Sequence, residues 1–313
     1  MWRIGVIGSI NRDTVSGPDG QAAFSLGGVL YTALALGHLA GPAAQVLLLA
    51  RLGEDVRDAV LGQLASCPQV RLEGLHVVAR PTYRCHIRYQ PDGSKVEVLS
   101  GGVGPLQWEE LAPHVAGLDG LLVNFITGFE LGRRTLQVVR ERLRGPLIMD
   151  FHSLALGRRR TGERFWRRPN DWATWVGLAD AVQMNQEEAA VLCGRPTPAL
   201  AELAQFARRL LALGPQAAVV TLGERGALAC RPEGGGIREF VCPVEATGMA
   251  VDPTGCGDVF LAALGLALIG GKGLGDALEA ACRAAGVKSR TRGLDGLHHL
   301  RALAGTATPQ VPP

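Results

Sequence analysis

A short glycine-rich segment followed directly by a long apolar run is the most informative pattern in this chain. The segment reads Val251-Asp252-Pro253-Thr254-Gly255-Cys256-Gly257-Asp258. The apolar run over residues 259–269 predicts a buried helix. Small residues at a helix start leave backbone N–H groups free beside the positive end of the helix dipole, which favours an anion such as phosphate. We therefore expect an anion site at residues 255–257.

Asp258 adds a carboxylate to this expected anion site. A carboxylate there would repel a bound anion unless it took part in the chemistry. It would do so by accepting the proton of an attacking hydroxyl while the N–H groups stabilise a transferring phosphoryl group. The alternative is structural, with Asp258 capping the helix and the glycines forming a turn. These residues alone leave both interpretations open.

Apolar strand patterns alternate with helix patterns along most of the chain. Strands are predicted over residues 4–10, 44–50, 121–125, 147–150, 181–184 and 217–222. Helices are predicted over residues 27–39, 55–64, 133–144, 187–193, 200–213, 259–269 and 274–288. Strands separated by helices are typical of βαβ units, which build a mostly parallel sheet with helices on both faces.

Two polar stretches, residues 11–26 and 82–100, interrupt this alternation. The first contains the turn Gly17-Pro18-Asp19-Gly20, and the second alternates apolar and polar residues around Pro91-Asp92-Gly93. Such patterns predict two-stranded ribbons with one solvated face. We expect a small β-stranded lid on a single domain over residues 1–305, followed by a flexible tail at 306–313.

Composition and charge exclude several classes of protein. The 313 residues are 47% hydrophobic and 19% charged, which is typical of a soluble globular protein. The net charge is +3, but residues 158–168 hold six arginines against Glu163, which leaves −2 for the rest. A nucleic-acid-binding protein would spread basic charge over a face, so we expect no nucleic-acid partner.

Cysteine usage and hydropathy indicate a cytoplasmic protein. The seven cysteines are an odd number, lie far apart and include no CxxC pair, which argues against a disulfide framework and a thiolate zinc site. The longest apolar stretches, such as residues 259–271, are shorter than the roughly 20 residues that cross a bilayer. The first residues show no cleavage site for export. We therefore expect a reducing compartment and no membrane partner.

Two common nucleotide-binding motifs are absent. Residues 265–273 resemble a P-loop, but they lack its Gly-Lys-Ser/Thr ending and lie at the end of a predicted helix. Gly5 and Gly8 do not complete the Gly-x-Gly-x-x-Gly fingerprint. The sequence therefore disfavours a nicotinamide-dependent dehydrogenase.

Residues 252–260 resemble the signature of the ribokinase (PfkB) family of carbohydrate kinases. Four further matches follow in that family's order: Gly8-Ser9-Ile10-Asn11-Arg12-Asp13, Gly27-Gly28, Asn185-Gln186-Glu187-Glu188 and Thr221-Leu222-Gly223-Glu224-Arg225-Gly226. The resemblance implies a ribokinase-like three-layer α/β/α sandwich with a mostly parallel central sheet and a small β-stranded lid. It also implies ATP-dependent phosphorylation of a hydroxyl group on a sugar or sugar-like small molecule.

The resemblance assigns catalytic and metal roles to matched residues. Asp258 would be the general base, beside an anion hole formed by the N–H groups of residues 255–257. Asn185 and Glu188 would organise Mg²⁺ and its waters around the ATP phosphates. Two oxygen-bearing side chains at a helix start suit a hard cation that keeps most of its water. A capping box is the alternative interpretation of this pair.

The resemblance also implies sites for both substrates and for a monovalent cation. Four residues would hold the acceptor hydroxyls: Asn11, Asp13, Gly27 and Gly28. Three residues would border the ATP phosphates and ribose: Thr221, Gly223 and Gly226. Asp252 would be one ligand of a K⁺ site, completed by backbone carbonyls near residues 289–294. Asn11 and Asp13 also fit an alternative as turn residues at a strand end.

Several features depart from the ribokinase pattern. Thr32 stands where ribokinases have an asparagine, and Ile126 where an acidic residue is expected, so two ribose contacts are missing. The first lid segment is short, which leaves open whether the lid clasps a partner subunit in a homodimer. Cys256 replaces an alanine, and in an electropositive nest its thiol would be reactive.

One segment matches no motif. Residues 158–175 contain six arginines and three tryptophans. They would form either an aromatic and cationic wall for an anionic or planar acceptor, or a solvated helix face with tryptophans packed inward. Asp150 and His152 follow a predicted core strand, at the edge where open α/β sheets bind ligands, with helix capping as the alternative.

Two alternative functions remain. A nucleoside kinase of the same family is suggested by the missing ribose contacts and by the aromatic segment. A non-catalytic sugar or nucleotide sensor is the other, and the presence of Asp258, Asn185 and Glu188 argues against it.

Overall fold

Strands and helices alternate along the computed structural model, which describes residues 1–17, 22–90, 94–243 and 250–304. The strands are β1 Trp2–Ile7, β2 Ile10–Ser16, β3 Ala22–Gly28, β4 Ala44–Gly53, β5 Val70–Arg71, β6 Leu75–Val78, β7 Tyr83–Tyr89, β8 Lys95–Ser100, β9 Gly120–Asn124, β10 Leu147–Asp150, β11 Leu156–Arg158, β12 Arg164–Trp166, β13 Ala181–Asn185, β14 Ala217–Thr221, β15 Ala227–Glu233 and β16 Gly236–Cys242. The α-helices are α1 Val29–Ala40, α2 Arg57–Leu64, α3 Trp108–Val115, α4 Arg133–Arg142, α5 Trp172–Val176, α6 Gln186–Cys193, α7 Leu200–Leu211, α8 Cys256–Ile269 and α9 Leu274–Ser289.

The central sheet has the strand order β16-β15-β14-β13-β10-β9-β1-β4-β5, with β6 beside β4. Neighbouring strands from β14 to β5 are parallel, and β15 and β16 extend the sheet antiparallel. Strands buried on both faces need continuous apolar runs, and β9 is buried along its whole length. The predicted, mostly parallel sheet is confirmed.

Helices cover both faces of this sheet. One apolar cluster joins it to α1, α2, α8 and α9, and a second joins it to α3, α4, α6 and α7. Helix α8 is apolar on all sides because it packs on the sheet between α1 and α9. The predicted three-layer α/β/α sandwich is confirmed.

The two predicted ribbons join into one small sheet of order β3-β2-β7-β8. Strand β2 is antiparallel to β3, β7 is antiparallel to β8, and β2 and β7 pair in parallel. Residues 18–21 and 91–93, which hold most of the two predicted turns, lie outside the described residues, as does the predicted tail at 306–313. The lid role of this sheet and the domain boundary at residue 305 stay predictions.

Some local predictions differ from the structure. The strand predicted over residues 4–10 ends at Ile7, since Gly8 lies against α1, where an added Cβ would meet Val29 Cγ2 at 2.5 Å. The helix-face interpretation of residues 158–175 is wrong for most of that segment. Strands β11 and β12 form an antiparallel hairpin there, and the helical part is the short α5. These short strands form because they pair with each other, and their sequence alone shows no strand pattern.

Two further observations concern the surroundings of the protein. Across the described ranges, none of the helices has both the length and the apolar character needed to span a membrane. All seven cysteines are free thiols.

Candidate active site

Four parallel strands end in polar residues along one edge of the central sheet. Asn124 ends β9, Asp150 ends β10, Asn185 ends β13 and Thr221 ends β14. Asn124 pairs in register with Asp150, and Asn185 with Thr221. Because open α/β sheets bind ligands at the carboxyl ends of their strands, this edge is the candidate active site.

Asp258 lies in the first turn of α8, above the end of β9. Its Oδ1 accepts a hydrogen bond from Asn124 Nδ2 at 2.6 Å, and the same nitrogen donates to Thr32 Oγ1 at 2.9 Å. Burial raises the pKa of Asp258 to about 6, although the Asn124 hydrogen bond acts in the opposite direction. The N-cap residue of α8 is Gly255, and the Asp258 carboxylate also accepts a hydrogen bond from its own backbone N–H, so the capping interpretation stays open beside the catalytic one.

The backbone before Asp258 presents N–H groups towards the same edge. Gly255 has φ of 81°, and an added Cβ would collide with the Tyr31 ring, so this position requires glycine on both counts. Cys256 N–H donates to Pro253 O at 3.2 Å. Within the described part of the chain, the N–H groups of Gly255 and Gly257 have no hydrogen-bond acceptor. Two of the three predicted anion donors are therefore free.

The Cys256 thiol is not activated by this environment. Its Sγ lies 3.7 Å from the Ala285 carbonyl of α9, which places the sulfur on the core side of α8. Burial raises the pKa of this thiol to about 11, and Lys288 offsets only part of that rise. The structure does not support the predicted reactivity of Cys256, because this half-buried residue directs its sulfur at α9 and its thiol pKa is raised.

Strand β2 of the small sheet brings Asn11 and Asp13 to the same cleft. Burial raises the pKa of Asp13 to about 7, and repulsion by Asp258 and by Glu97 of β8 adds to it. Asp13 and Asp258 therefore face each other closely enough to interact electrostatically. Asn11 is buried, and its Oδ1 has no hydrogen-bond partner among the described residues. An unpaired buried acceptor of this kind is what a substrate hydroxyl would satisfy.

The paired glycines make this arrangement possible. An added Cβ on Gly27 would lie 2.5 Å from Asp13 Oδ2, so glycine leaves room for that carboxylate. Gly28 has φ of 66°, and a Cβ there would collide with Ser9 O. Both glycines lie at the end of β3, directly before α1. Because they have no side chains, the two glycines leave space beside the cleft.

Asn185 and Glu188 form a full capping box at the start of α6. Asn185 Oδ1 accepts from Glu188 N at 2.8 Å, and Glu188 Oε2 accepts from Asn185 N at 2.9 Å. Asn185 Nδ2 also donates to Glu188 Oε1 at 2.7 Å. Burial raises the pKa of Glu188 to about 7. The capping interpretation is correct in geometry, and it also fixes the carboxylate at the edge of the cleft.

The acidic side chains at this edge fit a hydrated cation. Burial raises the pKa of Asp150 well above its usual range, and repulsion by Glu188 and Asp258 raises it further. Three carboxylates near one another favour a divalent cation nearby. In the described residues, no group of three acidic, histidine or cysteine side chains converges closely enough to bind a metal directly. The donor set therefore suits Mg²⁺ held through water, by Glu188 and Asp150.

Gln183 and His152 complete the strand-end cluster. Gln183 Nε2 donates to Asp150 Oδ2 at 3.1 Å and to Gly257 O at 3.0 Å, so it joins β10 and β13 to the start of α8. His152 has a positive φ of 32°, and burial lowers its pKa to about 4. The Asp150 carboxylate accepts a hydrogen bond from the backbone N–H of His152, the first residue of the 3₁₀ turn His152–Ala155, so the capping alternative fits Asp150.

The predicted nucleotide residues lie beside this cluster. Thr221 ends β14, and Gly223 and Gly226 flank a 3₁₀ turn with φ of 61° and 92°. Within that turn, Arg225 Nη2 donates to Gln186 Oε1 at 2.7 Å, which ties the turn to the start of α6. The residues predicted to hold the metal and the nucleotide therefore form one continuous surface.

Asp252 lies at the far side of the α8 N-terminus. Its Oδ1 accepts from Thr254 N at 2.9 Å and its Oδ2 from Gly293 N at 3.2 Å. The ammonium group of Lys288 lies 3.5 Å from Oδ2. The hydrogen bonds and this ammonium hold the pKa of Asp252 below its usual value, although its partial burial acts in the opposite direction.

Three residues of the site have roles that their sequence patterns did not predict. Asn124 is the hydrogen-bond donor to Asp258, Gln183 bridges two strands to α8, and Thr32 accepts from Asn124 instead of facing the cleft. The departure at Thr32 therefore supports the base. The sequence could have indicated Asn124, because it is a polar residue at the end of an apolar strand.

Three of the six arginines in the arginine- and tryptophan-rich segment lie over aromatic rings. Buried Arg164 donates to Thr127 O at 2.8 Å and lies over the Phe129 ring, so it fixes the loop after β9. Arg159 and Arg168 lie over Phe165 and Trp172 of the same segment. Trp175 packs edge-on against Phe125 in the core. These arginines thus stack on neighbouring aromatic rings.

Comparison with known proteins finds similarity to one family of kinases. Residues 163–297 match the family described as pfkB family carbohydrate kinase. This match covers less than half of the chain. It includes three of the five motifs quoted above and agrees with the resemblance noted from the sequence. The matched region contains Asn185, Glu188, Asp252 and Asp258, whereas Asn11 and Asp13 precede it.

Individual relatives are similar at low identity. A ribokinase from Arabidopsis thaliana is 25% identical over 78% of this chain, and the match spans 62% of that protein's length. A cytidine kinase from Thermococcus kodakarensis is 27% identical over 83% of this chain and 86% of its own. A structure of Arabidopsis thaliana ribokinase complexed with ribose and ATP has a TM-score of 0.76 and 20% identity, covering 96% of this chain and 99% of that one. The structural match supports the fold.

Proposed function

We propose that this protein is an ATP-dependent kinase that phosphorylates a hydroxyl of a sugar or sugar-like small molecule. The observation that carries this proposal is the Asp258 carboxylate, held at 2.6 Å by Asn124 beside the free N–H groups of Gly255 and Gly257. A base next to an anion-binding helix end is what phosphoryl transfer to an alcohol requires. The similarity of residues 163–297 to the pfkB family of carbohydrate kinases supports the same reaction.

In the proposed reaction the acceptor hydroxyl lies between Asp258 and the γ-phosphate of ATP. The hydroxyl oxygen attacks phosphorus, its proton passes to Asp258, and the bond from phosphorus to the bridging oxygen of ADP breaks. The N–H groups of Gly255 and Gly257 stabilise the charge on the transferring group. The base contributes about 10² to 10⁴ in rate, and most of the remainder comes from positioning.

Asn11 and Asp13 are the proposed acceptor contacts. The unpaired Asn11 Oδ1 would accept a hydrogen bond from one hydroxyl, and Asp13 from its neighbour. Burial and repulsion by Asp258 and Glu97 raise the pKa of Asp13 to about 7, which a donating hydroxyl would relieve. These contacts would orient a vicinal diol so that one oxygen faces Asp258.

Asn185, Thr221, Gly223 and Gly226 are the proposed ATP contacts. Glu188 would hold Mg²⁺ through water, with Asp150 as the second carboxylate. When bound, Mg²⁺ neutralises charge on the β- and γ-phosphates. The capping box fixes Glu188 through both carboxylate oxygens, so its position does not depend on the ligand.

A nucleoside is the second candidate acceptor. The Thr32 hydroxyl is engaged by Asn124 and Ile126 is apolar, so two contacts expected for ribose alone are missing. The relative described as a cytidine kinase supports this alternative. A panel of sugars, polyols and nucleosides with coupled ADP detection separates the two acceptors by their kcat/KM.

The proposal is tested by Asp258→Asn. We expect the variant to keep the fold and ATP affinity and to lose at least about 90% of turnover, since the amide cannot accept the proton. The matched control is Glu187→Gln, an exposed acidic residue in the first turn of α6. Far-UV circular dichroism and ATP titration by calorimetry verify the fold and the donor site. Retention of more than about a tenth of the activity contradicts Asp258 as the base.

The sensor alternative makes the opposite prediction for the unmodified protein. It requires binding of a sugar or nucleotide with no ADP release for any acceptor in the panel. Such a result would overturn the proposed kinase activity, whereas turnover with any alcohol excludes a purely sensory role.

A further inference from the structure

Lys288 is a fully buried lysine in the last turn of α9. Its side chain has 0% exposure to solvent. A buried ammonium group is costly unless oxygen ligands replace its water. The partners of Lys288 therefore explain why the chain tolerates this charge beside the candidate active site.

Among the described residues, three oxygens lie around the ammonium group of Lys288. Lys288 Nζ donates to Thr291 O at 3.0 Å and to Asp252 O at 3.3 Å, and it lies 3.5 Å from Asp252 Oδ2. An ammonium group has three N–H donors, so the oxygens match its capacity. The Tyr31 ring centroid lies 5.6 Å from Nζ, which adds a cation–π contact. The end of α9 also favours a positive charge, because helix carbonyls point out of it.

This environment is where the family resemblance implies a monovalent cation. One carboxylate and backbone carbonyls near residues 289–294 would be its ligands. In this chain those donors do not fit a free K⁺, because Lys288 already takes the Asp252 and Thr291 oxygens. A second positive charge within a few ångströms would also be repelled.

We propose that the Lys288 ammonium group is a built-in replacement for the monovalent cation, so that the protein functions without K⁺. The activity test of this inference rests on the proposed kinase function. A second test measures thermal stability and does not depend on that function. Lys288 acts as a positioning residue, since it touches neither of the proposed substrates.

The contacts of Asp252 show how Lys288 reaches the anion site. The N–H groups of Val251 and Asp252 both donate to Ser289 O, at 2.7 and 3.0 Å. Asp252 then fixes Thr254 N through Oδ1 and Gly293 N through Oδ2. The loop that leads into Gly255 is thus tied to the end of α9. Loss of the Lys288 charge would leave the Asp252 carboxylate partly buried and would loosen this loop.

The first experiment compares salts on the unmodified full chain. Turnover and the thermal midpoint are measured in KCl, NaCl and tetramethylammonium chloride at one ionic strength. We expect kcat to differ by less than about twofold between salts, and the thermal midpoint by less than about 1 °C, since no cation binds. An increase in kcat above about fivefold, or a thermal midpoint raised specifically by K⁺, would overturn the inference.

The second experiment uses Lys288→Ala, which removes the ammonium group and leaves its oxygens. We expect kcat to fall by at least about tenfold in tetramethylammonium chloride, and K⁺ or NH₄⁺ to restore part of it. K⁺ should also raise the thermal midpoint of this variant by about 2 °C or more. Arg283→Ala, an exposed position on the same helix, is the control and should behave as the unmodified protein.

Two outcomes separate this inference from the proposed function. A K⁺-dependent rise in the thermal midpoint of Lys288→Ala supports the built-in cation even if no acceptor is ever turned over. A Lys288→Ala variant that is as active and as stable as the unmodified protein in every salt contradicts it. Lys288→Met keeps a long side chain and leaves no room for a cation. This variant should therefore lose activity, and K⁺ should not restore it.

Discussion

Burial and a hydrogen bond act in opposite directions on the pKa of the Asp258 carboxyl group. Burial raises its pKa to about 6, and the Asn124 donor limits that rise. A base with a pKa close to the working pH combines good proton affinity with full ionisation at neutral pH. Burial therefore makes Asp258 a stronger base, and the Asn124 donor keeps its pKa low enough for the carboxylate to be mostly ionised at neutral pH.

The pH profile provides a test of this balance. Below its pKa Asp258 holds a proton and cannot accept another, so kcat/KM should fall as the pH drops through about 6. In Asn124→Ala the charged form loses its donor, so the acidic limb should move to higher pH by about one unit. An acidic limb that stays in place in Asn124→Ala would contradict this role of Asn124.

Thr32→Val is the matched control for this prediction. It removes the second acceptor of Asn124 Nδ2 but leaves the donor to Asp258 in place. We therefore expect the acidic limb of Thr32→Val to shift less than that of Asn124→Ala.

Helix α8 combines a buried, uniformly apolar body with a first turn that carries the proposed base, Asp258. Its entry depends on Gly255, where a positive φ and the Tyr31 ring both exclude a side chain. Gly257, two residues later, has an ordinary φ and no atom within 4 Å of an added Cβ. Backbone conformation and the Tyr31 ring thus both require glycine at position 255, and neither requirement applies at position 257.

The difference predicts opposite effects on stability. Gly255→Ala should reduce the free energy of unfolding by about 1–3 kcal/mol, because the backbone is strained and Tyr31 must move. Gly257→Ala should leave stability unchanged or raise it by up to about 1 kcal/mol, since alanine favours a helix. Urea denaturation followed by tryptophan fluorescence measures both. Equal losses in the two variants would contradict the predicted entry geometry.

The sequence predicted the elements whose pattern is local. Strand β10 was predicted with its observed bounds, and α8 and α9 within a few residues, because long apolar runs and helical periodicity need no tertiary information. The hairpin β11–β12 was not predicted, since its short polar strands are ordered by each other and by the bond from Leu99 N to Gly162 O. Strands β15 and β16 were also missed.

The same distinction applies to the site. Asn185, Glu188 and Asp258 lie within compact motifs, so the sequence identified them as candidates. Asn124 contacts Asp258 across 134 positions, and Lys288 contacts Asp252 across 36. Such pairs are set by the sheet order and by helix packing, and one sequence without tertiary information cannot reveal them.

At the scale of the whole molecule, the cleft lies between two sheets. Asp13 belongs to the small sheet and Asp258 to the helix above the central sheet, and their charges repel one another. A hydroxyl donor between them would replace this repulsion with hydrogen bonds to both. Acceptor binding should therefore draw the small sheet towards the central sheet, in agreement with the predicted lid role.

Hydrogen exchange tests this prediction. With an acceptor and a non-hydrolysable ATP analogue bound, amide exchange in Tyr83–Tyr89 of β7 should slow by at least about threefold. Helix α7, on the outer layer of the sandwich, is the internal control and should not change. Unaltered exchange in β7 at saturating ligand would contradict a lid role.

The enclosure of α8 by α1, α9 and the central sheet limits where mutations can change the acceptor preference without unfolding the protein. If these strands bind the acceptor as proposed, mutations in β7, β8 and the part of β2 beyond Ile10 would alter which alcohol is accepted and leave Ile10, which belongs to the apolar cluster around α8, in place. A combinatorial library confined to those three strands should therefore yield folded enzymes with altered acceptor preference. Randomising α8 instead should yield mostly insoluble protein.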